Sequence, residues 1–299
     1  STLFPYTTLF RSVGIVANGP VAPLIVEALK RLEYRGYDSA GIATVWEGRI
    51  HSVRAEGKLN NLQEKLEQDQ TPALAGIGHT RWATHGGPTD ANAHPHVSED
   101  GKVAVIHNGI IENFAELRAE LTTAGVTLAS ETDTEVVAHL LASVLPTTGM
   151  DLAEAMRRVC QRLSGAFTLV AVHSDVPDVV VGARRNSPLV VGRGQGENFL
   201  ASDVAAFIAH TRNAVELGQD QVVELRRDAI IVTDFAGAPA EVVEYEVTWD
   251  ASAAEKGGFA TFMEKEIAEQ PKAVSDTLLG RVDASGRLHL DEMRLSEND

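Results

Sequence analysis

The chain has 299 residues, 44% of them apolar, which is enough for one large core or two modest ones, and no apolar run approaches the length of a membrane span. Its 26 Lys and Arg are scattered among 42 Asp and Glu, for a formal net charge of -16, which excludes the concentrated basic face that a nucleic-acid partner requires. A single cysteine excludes an internal disulfide framework and fits a reducing compartment, the cytoplasm.

The opening STLFPYTTLFRS lacks the charged head, sustained apolar run and cleavage site of a signal peptide. The stretch GPVAPLIVEALKRLEYRG predicts a helix. Pro20 lies near its first turn, Val21, Leu24, Ile25, Ala28, Leu29 and Leu32 recur on one face, and Gly36 follows its end. Residues 40–54 read as two strands around a Glu47-Gly48 turn. The apolar runs ALAGIGHT and VAVIHNG each end in polar residues, as buried strands do when they deliver side chains to a site at their edge.

Two helices follow, NFAELRAELTTAG with Gly125 as its stop, and TDTEVVAHLLASVL, in which Thr132 and Glu135 have capping-box spacing. A third is expected over residues 151–164, with Cys160 on its apolar face as a packed core thiol. From Ala166 the pattern returns to strands: AFTLVAV, DVVVGAR, PLVVGR, NFLAS, QVVELR and AIIVT, interrupted by a helical DVAAFIAH. Strand runs and helix runs are segregated, so the fold class is α+β, with mainly antiparallel sheets covered by helices. After Thr248 comes a charged linker and a helix ending at Gln270-Pro271, then a polar stretch that does not close a domain.

The segment from Gly78 to Val97, GHTRWATHGGPTDANAHPHV, holds four of the ten histidines. With His107 they offer imidazoles, but without the His-Glu-x-x-His helix or cysteine pairs that mark zinc sites, so no metal is expected. For a carboxylate the same loop offers more. Arg81 supplies a bidentate fork, and Trp82, Thr84, His85, Gly86 and Gly87 follow with hydroxyl, imidazole and backbone donors. Each residue also has an ordinary reading. Arg81 alone suits a surface ion pair, Trp82 packing, Asp133 the favourable end of a helix dipole, and Asn108-Gly109 a turn. Residue patterns alone lead to a polar pocket and no further.

Taken in order, LKRLEYRGYDSAGIA, GHTRWATHGGPTDANAHPH, VIHNGIIEN, SETDTEVVAHL, GENFLASDVAAFIAHTR and FMEKEIAEQP resemble the glutaminase half of the glucosamine-6-phosphate synthase family, which belongs to the class II amidotransferases. The resemblance runs from about Val13 to the end. It implies a four-layer αββα sandwich of the N-terminal-nucleophile hydrolase type that releases ammonia from glutamine without a cofactor. A separate isomerase half would use that ammonia on fructose 6-phosphate, in a protein expected to be a homo-oligomer. The resemblance places the glutamine α-carboxylate on Arg81, with Thr84 and His85 beside it, and the α-ammonium on Asp133. Trp82 falls at the family's channel gate, and Asn108 with the Gly109 amide at the oxyanion hole, where each donor is worth roughly 3 kcal/mol.

The nucleophile departs from the pattern. The family begins Cys-Gly-Ile, whereas counting back from YRGYDSAG puts Phe10, Arg11 and Ser12 at those places, and none replaces an N-terminal thiol. Residues 1–12 therefore read as a non-native segment, 13–247 as the amidotransferase domain, and 248–299 as a linker with a truncated start of the isomerase domain. The chain as written is expected to bind glutamine and be inactive. Two rival readings are a non-catalytic glutamine-binding module and another class II amidotransferase, such as an amidophosphoribosyltransferase.

Overall fold

The structure, a computed structural model, describes residues 11–32, 37–67, 71–82, 86–149 and 151–248, with scattered positions between 259 and 271. The chain divides into two compact units, Ser1–Ala251 and Ser252–Asp299. In the second unit the described positions 263, 264, 267, 268, 270 and 271 are helical. Among the described residues no helix is long and apolar enough to cross a membrane.

The first unit begins with strand β1 (Ser12–Val16) and helix α1 (Val21–Arg31), followed by β2 (Ser39–Trp46), β3 (Arg49–Glu56) and α2 (Leu59–Leu66). Then come β4 (Ala75–Arg81), β5 (His96–Val97) and β6 (Val103–Ile111), and three helices, α3 (Phe114–Thr123), α4 (Asp133–Val144) and α5 (Leu152–Arg162). Eight strands complete it: β7 (Gly165–His173), β8 (Val180–Arg185), β9 (Val190–Arg193), β10 (Asn198–Ala201), β11 (Asn213–Glu216), β12 (Gln221–Leu225), β13 (Ile230–Asp234) and β14 (Val243–Glu246).

These strands form two antiparallel sheets. One has the order β14-β11-β9-β10-β1-β4-β2-β3, the other β13-β12-β8-β7-β6-β5. Between them lies an apolar layer that includes Val16, Ala43 and Ile77 from the first sheet and Ile106, Val170 and Val180 from the second. A second core joins the smaller sheet to α4 and α5 through Val105, Val137, Leu141, Met156, Val159 and Phe167. Helix α1 covers the outer face of the larger sheet with Ile25 and Leu29, both fully buried. The result is the αββα sandwich, each buried Leu, Ile, Val or Phe contributing about 1.5–3 kcal/mol.

Local chemistry accounts for most boundaries. The two-residue Glu47-Gly48 turn has positive φ at both positions, the twist a tight hairpin needs. Gly125, at φ 90°, follows the C-cap of α3. Asp151 caps α5 by accepting the Glu154 N–H at 2.9 Å. Cys160 is fully buried on the inner face of α5, as its sequence position implied.

Helix α1 is entered at Pro20, its N-cap, and its C-cap is Leu32; Gly36 lies outside the described residues. Two expectations need correction. The capping box is half formed: Thr132 Oγ1 accepts the Glu135 N–H at 3.4 Å, but Glu135 does not return the bond to Thr132. Its carboxylate instead takes the N–H groups of Ala129 and Ser130 at 2.7 Å each. Finally, DVAAFIAH forms only a single turn of 3-10 helix at Val204–Ala206. Phe207 turns inward there, its ring 6.1 Å from that of Phe199 and close against Gly192 of β9.

Candidate functional site

The C-terminal end of β4 and the same end of β6 bring the predicted site residues together from opposite sheets. Arg81 is the last residue of β4 and is 3% exposed. Its guanidinium donates to the carbonyls of Gly86 at 3.0 Å and Gly87 at 3.2 Å and lies 3.6 Å from Asp38. Burial draws its pKa below the ordinary value, against the attraction of Asp38 and then Asp133. Trp82, the next residue, is half exposed. Phe10, Thr84 and His85 lie outside the described residues.

On β6, Asn108 and Gly109 stand opposite Thr168 and Phe167 of β7. Gly109 has φ +114°, and a Cβ there would come 2.1 Å from the Ala166 carbonyl oxygen, so only glycine fits. The Asn108 amide is held from several sides. Its Oδ1 accepts from His79 Nε2 at 2.9 Å and from the Arg11 N–H at 3.3 Å, while its Nδ2 donates to Ser12 Oγ at 2.8 Å. The start of β1 therefore abuts the side chain proposed as an oxyanion donor. Ser202 fixes that start in turn, its hydroxyl accepting the Ser12 N–H at 2.8 Å.

Asp133 opens α4 and is buried. Its Oδ2 accepts the Ile111 N–H at 2.9 Å, and its Oδ1 lies 3.6 Å from His107 Nδ1. This pins the helix start two residues past Gly109 on the sheet. Arg81 and Asp133 feel one another's charge, so the site has a cation and an anion at opposite ends.

Behind these groups sits a set of buried histidines that the sequence did not assign to the site. His79 and His94 rings are 4.5 Å apart, and His94 and His96 rings 4.9 Å. Thr134 Oγ1 lies 2.8 Å from His94 and 3.0 Å from His107, and Thr132 Oγ1 lies 3.0 Å from His96. Burial pulls the pKa of both His79 and His96 down to about 3 and that of His94 well below its ordinary value, so all three are neutral. Neutral His79 donates to Asn108 Oδ1, which leaves the amide's N–H side facing Ser12 at the start of β1. Among the described residues no group of three or more His, Cys, Asp or Glu has the arrangement of a metal site.

Comparison with known proteins shows the family. A family profile described as glutamine amidotransferase domain matches residues 65–246. The chain is 69% identical over 284 residues to the isomerizing glutamine–fructose-6-phosphate aminotransferase of Streptomyces coelicolor, covering 95% of this chain and 46% of that protein. It is 58% identical over 277 residues to the protein of the same name from Corynebacterium diphtheriae, covering 92% of this chain and 44% of the relative. The chain thus spans about half the length of the curated relatives it matches. Among solved structures, glutamine phosphoribosylpyrophosphate amidotransferase of B. subtilis superimposes with a TM-score of 0.64 over 75% of this chain and 49% of its own. At 21% identity that likeness is one of fold alone, and it lends no weight to the amidophosphoribosyltransferase alternative. The profile match over residues 65–246, more than half of the chain, places this protein in the glutamine amidotransferase family.

Proposed function

We propose that residues 13–247 form the glutamine site of a protein of the glutamine–fructose-6-phosphate aminotransferase type, and that residues 248–299 lead toward its sugar-converting half. Arg81 takes the glutamine α-carboxylate, Asp133 the α-ammonium, and the Asn108 amide with the Gly109 N–H the oxygen of the side-chain amide as it becomes tetrahedral. Thr84 and His85 belong beside the carboxylate, and Trp82 guards the exit toward the ammonia acceptor. In the full protein that acceptor is fructose 6-phosphate.

The observation that carries the reading is the juxtaposition of Arg81 and Asn108-Gly109 from two different sheets with Asp133 at the start of α4. A fork, an oxyanion pair and a carboxylate are the three functions an amino-acid amide needs, and each is held by further hydrogen bonds. What the chain does not supply is a reactive thiol. Its single cysteine, Cys160, is fully buried in the core between α5 and the smaller sheet, where burial raises its pKa. The chain therefore binds glutamine without hydrolysing it.

Calorimetry tests both parts. The chain should bind glutamine and release no glutamate. Arg81→Ala should weaken binding at least about thirtyfold, since a charge-assisted bidentate contact is worth about 2–5 kcal/mol. Arg81→Lys should fall between, keeping the charge and losing the fork. Equal affinity in Arg81→Ala, or steady glutamate release by the unsubstituted chain, would refute the assignment.

A further inference from the structure

Asn92 has no role in the site described so far, yet its side chain ties the two charged ends of that site together. It is 3% exposed. Its Oδ1 accepts the Glu131 N–H at 2.9 Å, and its Nδ2 donates to the Gly87 carbonyl at 3.1 Å and to Glu131 Oε2 at 3.3 Å. The amide thus bridges two segments 39 residues apart in sequence.

Each segment carries one end of the clamp. On one side, Gly86 and Gly87 present the carbonyls that hold the Arg81 guanidinium. On the other, Glu131 stands two residues before Asp133. The bridge has no slack. Gly86 has φ +73°, and a Cβ there would lie 2.6 Å from Asn92 Nδ2 and 3.1 Å from Glu131 Cβ. The main chain of Asn92 is fixed as well. Its N–H donates to the Thr89 carbonyl at 3.1 Å, and Arg54 Nη1 donates to the flanking carbonyls of Ala91 at 3.4 Å and Ala93 at 3.3 Å.

An asparagine that served only its own turn would spend its amide on backbone groups two to four residues away. Asn92 spends its carbonyl, and part of its NH2, on Glu131 instead. We propose that Asn92 is a positioning residue that sets the separation of Arg81 and Asp133, and so makes the site selective for a ligand carrying both an α-carboxylate and an α-ammonium. The proposal rests on the glutamine reading above. Without Asn92 the two segments drift, and a ligand that must touch both ends loses more than one that touches the carboxylate end alone.

The experiment compares glutamine with glutaramic acid, the same molecule without its α-amino group, by calorimetry on the full chain. The variants are Asn92→Ala and the isosteric Asn92→Asp, which sets a carboxylate against the Gly87 carbonyl and Glu131. Glutamine affinity should fall tenfold or more in both, glutaramic acid affinity less than threefold, so that the preference for glutamine collapses. Should either variant melt far below the parent chain, Asn92→Asp combined with Glu131→Gln, in which the new amide donates to the new carboxylate while the Gly87 contact stays broken, re-forms only the Glu131 half of the bridge and should still show the larger loss for glutamine. Equal losses for both ligands would reduce Asn92 to loop support and overturn the proposal, as would unchanged affinities. A parent chain that binds neither ligand would overturn the glutamine reading itself.

Discussion

Lowering the pH from 7.5 to 5 should remove about 4 kcal/mol of folding stability through His79 and His96 alone. Burial holds both at a pKa of about 3 in the folded chain, against about 6.5 in an unfolded one. Their folded pKa is the lower, so the unfolded state binds more protons in the interval. The stability they contribute is complete above about pH 6.5 and is lost as the pH falls toward 3. At pH 5 the loss is about 2 kcal/mol per histidine, and near pH 4 about 3 kcal/mol. The joint loss of about 6 kcal/mol by pH 4 is a large share of the about 5–15 kcal/mol that holds a domain together, so the unfolding midpoint in urea should fall steeply over this range. Glu135, whose pKa is lowered to about 2, against its burial, by His139 3.7 Å away and by hydrogen bonds from Ala129 and Ser130, contributes nothing to the change above about pH 5, because its stabilisation is lost only as the pH falls from about 4.5 toward 2. The upper window therefore belongs to the imidazoles. Urea unfolding at pH 7.5, 6 and 5 measures it, and His96→Gln should remove about half of the slope. A decline under ~1 kcal/mol by pH 5, or a His79 ring resonance titrating near 6.5 in the folded protein, would refute the reasoning.

Gly109→Ala should destabilise the fold by at least ~3 kcal/mol, since it combines positive-φ strain with a Cβ 2.1 Å from the Ala166 oxygen. Gly101→Ala, at φ +72° with nothing within 4 Å, should cost only about 1 kcal/mol, and equal urea midpoints for the two would show the close approach to be illusory. Cys160 should resist iodoacetamide at pH 8 in the native state and react promptly in urea. Rapid native labelling, read by mass spectrometry, would contradict its place in the core.

Much of the architecture is legible in the residues because it obeys short periods. The apolar stripe of α1, the Glu47-Gly48 turn between β2 and β3 and the apolar run of β4 each declare themselves within a dozen positions. What escapes is short or polar. Strand β5 has two residues, β11 is Asn-Ala-Val-Glu and β14 is Val-Glu-Tyr-Glu with all four residues exposed, so none shows an alternation long enough to read. Helix α2 buries only Leu59 and Leu62 of eight residues. In the DVAAFIAH stretch, the packing of Phe207 against Phe199 outweighs the local helical pattern.

The site divides the same way. Family resemblance supplied Arg81, Asn108, Gly109 and Asp133, because no periodicity joins residues on β4, β6 and α4. The supporting groups, His79, Ser12, Ser202 and Asn92, carry no local signal, since each meets a partner far away in sequence. That closure also explains why the histidines must be neutral. A charged His79 would add a cation between Arg11 and Arg81, both of which already disfavour its protonation. Kept neutral, its ring spends one N–H on the Asn108 carbonyl, and the asparagine's own donors stay aimed away from it. A layer of neutral imidazoles behind the proposed clamp answers it with fixed dipoles where water would reorient. The acid sensitivity of the fold and the preorganisation of the proposed oxyanion donors are then two consequences of one arrangement, the burial of imidazoles between two sheets.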